Sequence, residues 1–133
     1  MRAGIRATLA RDEALEVVGE GADGEQAIER CRELDPDLVL MDVSMPVLDG
    51  IEATRAIRAQ FPRISVLVLT AFDDQELLLR AVQAGASGYV LKGSDPRRVL
   101  EAVRAVLEGE TPLEQGLAMK LIRRLATEGS EEG

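Results

Sequence analysis

The chain has 133 residues, a length that suits one domain. Apolar residues make up 46% of it and aromatics only 2%, which excludes a disordered chain and asks for a core of Leu, Val, Ile and Ala, as when helices pack on strands. The formal net charge of −8 argues against direct contact with nucleic acid or anionic membranes, and the absence of histidine excludes a His general base, a Ser-His triad and His metal ligands. The acidity either serves solubility or belongs in part to a cation site. The single cysteine, Cys31, allows no intrachain disulfide and reads as a small core residue. No apolar run approaches a membrane span, and no apolar h-region follows Met1-Arg2-Ala3-Gly4, so a cytoplasmic location is expected.

In chain order, Met1 to Arg11 reads as a helix and Leu15 to Val18 as a first strand. Gly24 to Glu33 is a helix with Ala27, Ile28 and Cys31 on one face, ended by Pro36. Asp37-Leu38-Val39-Leu40-Met41 is a continuous apolar strand with Asp42 at its carboxyl end, and Ser44 to Gly50 is a loop marked by Pro46 and by Asp49-Gly50. Ile51 to Gln60 is an amphipathic helix, Ile64 to Leu69 another apolar strand, and Thr70 follows it. Asp73 to Ala84 is a helix stopped by Gly85. Gly88 to Leu91 is a short strand followed by Lys92, and Ser94 or Asp95 caps a helix that starts at Pro96 and runs to about Leu107. Beyond Gly109 and Pro112, Leu113 to Ala126 reads as one more helix, with Leu117, Leu121 and Leu125 at helical spacing, before an acidic tail. Apolar strands alternating with helices signal an α/β domain with a parallel sheet covered on both faces.

Three polar residues thus end three strands: Asp42, Thr70 and Lys92. Right-handed crossovers put all strand carboxyl ends of such a sheet on one edge, where ligands bind. A carboxylate can attack phosphorus, a threonine hydroxyl can donate to a phosphoryl oxygen, and a lysine ammonium can neutralise the added charge. Singly, each residue has an ordinary reading: a turn-forming Asp, a loop-capping Thr, a solvated Lys. Three complementary types at three strand ends point to phosphoryl chemistry.

Leu40-Met41-Asp42-Val43-Ser44-Met45-Pro46-Val47-Leu48-Asp49-Gly50 resembles the phosphoacceptor segment of bacterial response-regulator receiver domains. Leu67 to Ala71 resembles their switch-threonine strand, and Ala84 to Lys92 the segment carrying their aromatic switch and lysine. Val17-Val18-Gly19-Glu20 and Ala22-Asp23-Gly24 are similar to the subfamily with a LuxR-type DNA-binding partner domain. The resemblance implies a flavodoxin-like (CheY-like) fold over residues 1–109, with residues 110–133 as a C-terminal linker or helix and tail. It implies a two-component signalling function in which a histidine kinase phosphorylates Asp42, Thr70 and Lys92 bind the phosphoryl group, Tyr89 swings inward as a switch, and Pro46 and Gly50 shape the loop. The output would pass through the face made by the helix after Thr70, the strand at Tyr89 and the last core helix. Such a domain is a phosphoacceptor with at most weak self-phosphorylation and self-dephosphorylation, not a conventional enzyme. Tyr89 can also be read as a half-buried tyrosine on an edge strand.

Two family features lack a counterpart in the sequence. The family's opening strand and its acidic pair would precede Met1, so Mg²⁺ would rest on Asp42 and the Ser44 backbone carbonyl and bind weakly, making phosphorylation slow or lost. Asp12, Glu13, Glu20 and Asp23 fall too far along the chain to replace the pair. The strand's absence would also open two sheet edges, to be closed by a sideways shift, by a second chain in a homodimer, or not at all. Arg123 and Arg124 are too few to make a DNA site, so no direct nucleic-acid or membrane contact is expected of this chain. The alternative function is a phosphorylation-independent dimerisation or interaction module; an unrelated flavodoxin-like enzyme fits poorly, for want of a Gly-rich phosphate loop.

Overall fold

The computed structural model describes residues 3–16, 23–42, 47–70, 75–91, 95–111, 122–123 and 126. Its centre is strand β2 (Ser65–Thr70), which pairs in parallel with β1 (Leu38–Asp42) on one side and with β3 (Gly88–Leu91) on the other. Helices α1 (Ala3–Ala10) and α5 (Pro96–Leu107) pack together, and α2 (Gly24–Leu34), α3 (Val47–Gln60) and α4 (Gln75–Gln83) form the rest of the helical cover. The architecture is the expected α/β parallel sheet with helices on both faces.

Side-chain alternation explains why both faces are covered. Successive residues of a strand point to opposite sides, so β2 divides its apolar run between two clusters. Val66 and Val68 join Cys31, Met41, Ile57, Leu78 and Tyr89 on the α2–α4 face, while Leu67 and Leu69 join Leu9, Val99, Val103 and Val106 on the α1–α5 face. These four β2 side chains are 0–1% exposed, a strand with no solvent side. Each contributes roughly 1.5–3 kcal/mol by its burial. Burial also pushes the Cys31 thiol up from its ordinary range, so that residue is an inert part of the core as its helical position suggested.

The helix ends follow local chemistry. Asp23 caps α2, its Oδ1 accepting from the Gln26 amide at 2.9 Å, and Asp95 caps α5 by accepting from the Arg97 amide at 2.9 Å, with Pro96 next. α4 closes in a Schellman motif at Gly85 (φ 97°), where Gly85 N–H donates to Val82 and Ala86 N–H to Ala81, both at 3.0 Å. α5 closes the same way at Gly109 (φ 91°), through Gly109 N–H to Val106 and Glu110 N–H to Ala105.

Two arginines make polar contacts beyond their own helices. Arg104 of α5 grips the Asp12 carboxylate with two nitrogens, Nε at 2.8 Å, while the other Asp12 oxygen accepts from Ala14 N–H at 2.9 Å. Arg58 of α3 donates to the carbonyls of Pro62 (2.9 Å) and Ile64 (2.6 Å) and lays its stem against Gly85.

Some expected boundaries move. α3 begins at Val47, so Val47 to Gly50 are helical and not loop; the Asp49-Gly50 pair, read as a turn signal, sits inside the first turns, and the Gly50 carbonyl accepts from Thr54 Oγ1 at 2.9 Å. Leu15 and Glu16 are not in a strand, and the rest of the expected first strand lies outside the described residues. Asp73 and most of Leu113 to Ala126, including Leu117, Leu121 and Leu125, also lie outside them; Ile122, Arg123 and Ala126 are helical and exposed.

Two outcomes test this account. A Cβ at Gly85 would meet Arg58 Cγ at 3.2 Å and Cβ at 3.3 Å, whereas nothing lies within 4 Å of one at Gly109. Gly109→Ala should cost only the left-handed backbone strain, about 1 kcal/mol, and Gly85→Ala roughly 1–3 kcal/mol more from overpacking, both read from urea midpoints. The Arg104 guanidinium, and then the Ala14 amide, hold the Asp12 carboxyl below its ordinary value of 3.8. A depressed folded pKa gives stability that is complete above the unfolded value and lost as pH falls through the folded one. The gap in urea midpoint between the parent and Asp12→Asn should therefore be constant above about pH 4 and close below it.

Candidate functional site

Because the three strands are parallel, their carboxyl ends share one edge of the sheet. Asp42 is the last residue of β1 and lies beside Leu69 of β2. Thr70 is the last residue of β2, one step beyond, and lies beside Leu91, the last residue of β3. Neighbouring strands stand about 4.8 Å apart, so the Asp42 and Thr70 backbones are neighbours across one strand gap. Of the three residues singled out at the strand ends, the structure thus brings Asp42 and Thr70 to one edge, with Tyr89 of β3 just behind. Lys92 follows Leu91 directly and lies outside the described residues, as do Ser44 and Pro46.

The environments of the two end residues differ. Asp42 is partly exposed, as a group that meets a soluble donor must be. Thr70 is fully buried, one of two buried polar residues of the described core; the other is Thr54, whose hydroxyl is bonded to Gly50. Thr70 shares its sheet face with Val66 and Val68, the face covered by α2, α3 and α4, whereas Asp42 shares the parity of Leu38 and Leu40 on the opposite face. Asp42, Thr70 and Tyr89 each have interaction partners.

Tyr89 is not the half-buried edge tyrosine that its position on a four-residue edge strand suggested. It is 2% exposed. It lies beside Val68, on the same face as Thr70 and diagonal to it, packed in the cluster that includes Leu77, Leu78 and Ala81. The ring is held in because α4 covers that edge. Gly50, expected to shape the loop, is buried in α3, and its carbonyl is engaged by Thr54. Sequence reasoning passed over Thr54, whose only signal was a threonine four residues after a glycine in a helical stretch.

Two of the described carboxylates are committed to helix caps. Asp95 caps α5, and the Arg97 amide followed by the Arg97 side chain hold its carboxyl below the ordinary value. Asp23 is spent on capping α2. Among the described residues, no three His, Cys, Asp or Glu side chains come together to hold a metal ion. Among the same residues no helix is long and apolar enough to cross a membrane.

The chain belongs to the family described as "Response regulator receiver domain", which it matches over residues 1–104. Its relatives include the transcriptional regulatory protein DegU of Brevibacillus brevis, 39% identical over 98% of this chain and 57% of that protein. Another is the response regulator protein VraR of Staphylococcus aureus, 41% identical over 94% of this chain and 60% of that protein. The chain therefore spans about three fifths of the curated relatives it matches. Among solved structures it resembles a LuxR-family two-component response regulator from Aurantimonas sp. SI85-9A1 (TM-score 0.84, 36% identity, 92% of this chain and 88% of that one). It also resembles the isolated REC domain of RcsB from Salmonella enterica serovar Typhimurium in the presence of phosphomimetic BeF3⁻ (TM-score 0.78, 30% identity, 89% of this chain and 88% of that one). The fold and family read from the sequence are correct, and the chain is a receiver domain of two-component signal transduction of the LuxR-family type. Members of this family are regulators rather than conventional enzymes, work with sensor histidine kinases and typically use Mg²⁺.

The burial of Tyr89 has a direct test, since it is the only tyrosine and the chain has no tryptophan. Its fluorescence should resist acrylamide in the native protein and become quenchable in urea. Tyr89→Ala should destabilise by about 3–5 kcal/mol, the range for emptying an aromatic site in a core. Easy quenching of the native protein would place the ring outside.

Proposed function

We propose that Asp42 is the phosphoacceptor of this receiver domain. The observation that carries the reading is that Asp42 and Thr70 close adjacent parallel strands at one sheet edge, Asp42 partly exposed and Thr70 buried. A carboxylate oxygen of Asp42 attacks the phosphorus of the donor. The new O–P bond forms as the bond from phosphorus to the donor breaks, and the donor leaves with that electron pair. The Thr70 hydroxyl turns toward the edge and donates to a phosphoryl oxygen, and the Lys92 ammonium, next to the end of β3, offsets the added charge. Mg²⁺, when bound, would shield charge during transfer, and the Asp42 carboxylate would help hold it.

We further propose that residues 1–109 make up the receiver and residues 110–133 a linker, that a sensor histidine kinase is the natural donor, and that the output is transcriptional. DegU is named a transcriptional regulatory protein, and a solved structure of RcsB has two dimers bound to two parallel DNAs. With a net charge of −8 the chain is unsuited to touching DNA directly, and a homodimer would carry the signal. One observation favours the second reading, an interaction module that works without phosphate: Tyr89 is already buried in the unmodified chain.

Intact-mass analysis of the purified chain with Mg²⁺ and acetyl phosphate, beside Asp42→Asn, tests both. Gain of one phosphoryl group by the parent alone supports the phosphoacceptor. Thr70→Ala should then lower the rate at least about tenfold, the loss of one charge-assisted bond of 1.5–3 kcal/mol. No gain by the parent, with parent and Asp42→Asn self-associating alike, would replace it by the interaction module.

A further inference from the structure

The outward face of α5 carries a stripe of alternating charge. Val99, Ala102, Val103 and Val106 are buried and define the face turned to the sheet. At about 100° per residue, Arg97, Glu101, Arg104 and Glu108 lie within about 30° of the opposite direction. All four are exposed. Arg97 is held by Asp95 at 3.2 Å and Arg104 by Asp12, yet their side chains stay 82% and 57% exposed. Among the described residues, Glu101 and Glu108 make no ion pair.

The order of these charges does not suit the helix that carries them. Arg97 stands in the first turn and Glu108 at the C-cap, and both oppose the helix dipole. A base four residues before an acid is also the weaker of the two i,i+4 orders. The same stripe is self-complementary when α5 meets a copy of itself antiparallel. With a two-fold axis level with the midpoint of Ala102 and Val103, Arg97 of one copy faces Glu108 of the other, and Glu101 faces Arg104. Each pair then forms twice. Glu108 of the second copy comes to the first turn of α5 and its Arg97 to the last turn, the ends where the dipole favours them.

We propose that this stripe is a two-fold interface with a second copy of the chain, α5 against α5 antiparallel. A partner of one charge sign fits worse, since it would meet as many like charges as opposite ones. Leu107, 43% exposed, and Leu100, partly buried, run along one flank of the stripe. The two-fold keeps that flank on the same side in both copies, so Leu100 of each lies near Leu107 of the other. The leucines add the apolar contact that exposed ion pairs lack, and the charges choose the register. The proposal gives a surface to the homodimer already proposed and rests on that reading; it does not depend on Asp42.

Sedimentation equilibrium of the whole chain tests it. The parent should dimerise below about 1 mM, and less so in high salt. Arg97→Glu sets an acid against Glu108, and Glu108→Arg sets a base against Arg97. Each should raise the dimer Kd about tenfold or more. Mixed in equal amounts, the two variants restore opposite charges at both ends and should associate like the parent, which damaged folding would not allow. A mixture as weak as its components would overturn the proposal. Variants that each associate like the parent would overturn it and leave the homodimer standing on another face. A parent still monomeric at about 1 mM would overturn both.

Discussion

Everything in this domain hangs on the burial of β2 from both sides. A strand whose successive side chains are all apolar has no face to offer water, so it requires one helical layer above and another below. Val66 and Val68 draw in α2, α3 and α4; Leu67 and Leu69 draw in α1 and α5. With both faces occupied, the only free ground near the strand is at its ends. That is where Thr70 stands, with Asp42 on the adjacent strand.

The same constraint separates the roles of the two site residues. Asp42 belongs by parity to one side of the sheet and Thr70 to the other, although they lie one strand apart. Tyr89, diagonal to Thr70 and buried under α4, lies on the Thr70 side.

What could be read from the sequence was what local chemistry dictates. The three strands, the cap at Asp95-Pro96 and the stop at Gly85 were legible because apolar runs, capping oxygens and left-handed glycines act over a few residues. The meeting of Asp42 and Thr70 at one end of the sheet was legible because parallel strand ends converge by topology. Val47 to Gly50 misled because proline and Asp-Gly are turn signals unless packing overrides them, and here the helix runs through. For Tyr89 the alternative of a half-buried edge tyrosine failed, because α4 packs against β3 and the ring is 2% exposed. The Asp12–Arg104 pair and the grip of Arg58 had no signal at all, since their partners are far apart in the chain or are backbone carbonyls of a connection.

Arg58 gives the domain a mechanical asymmetry. Its guanidinium is fastened to the carbonyls of Pro62 and Ile64, and its stem braces Gly85 at the end of α4, all at the edge remote from Asp42. One side chain therefore joins the end of α3, the connection into β2 and the close of α4, so shortening it would loosen three elements at once.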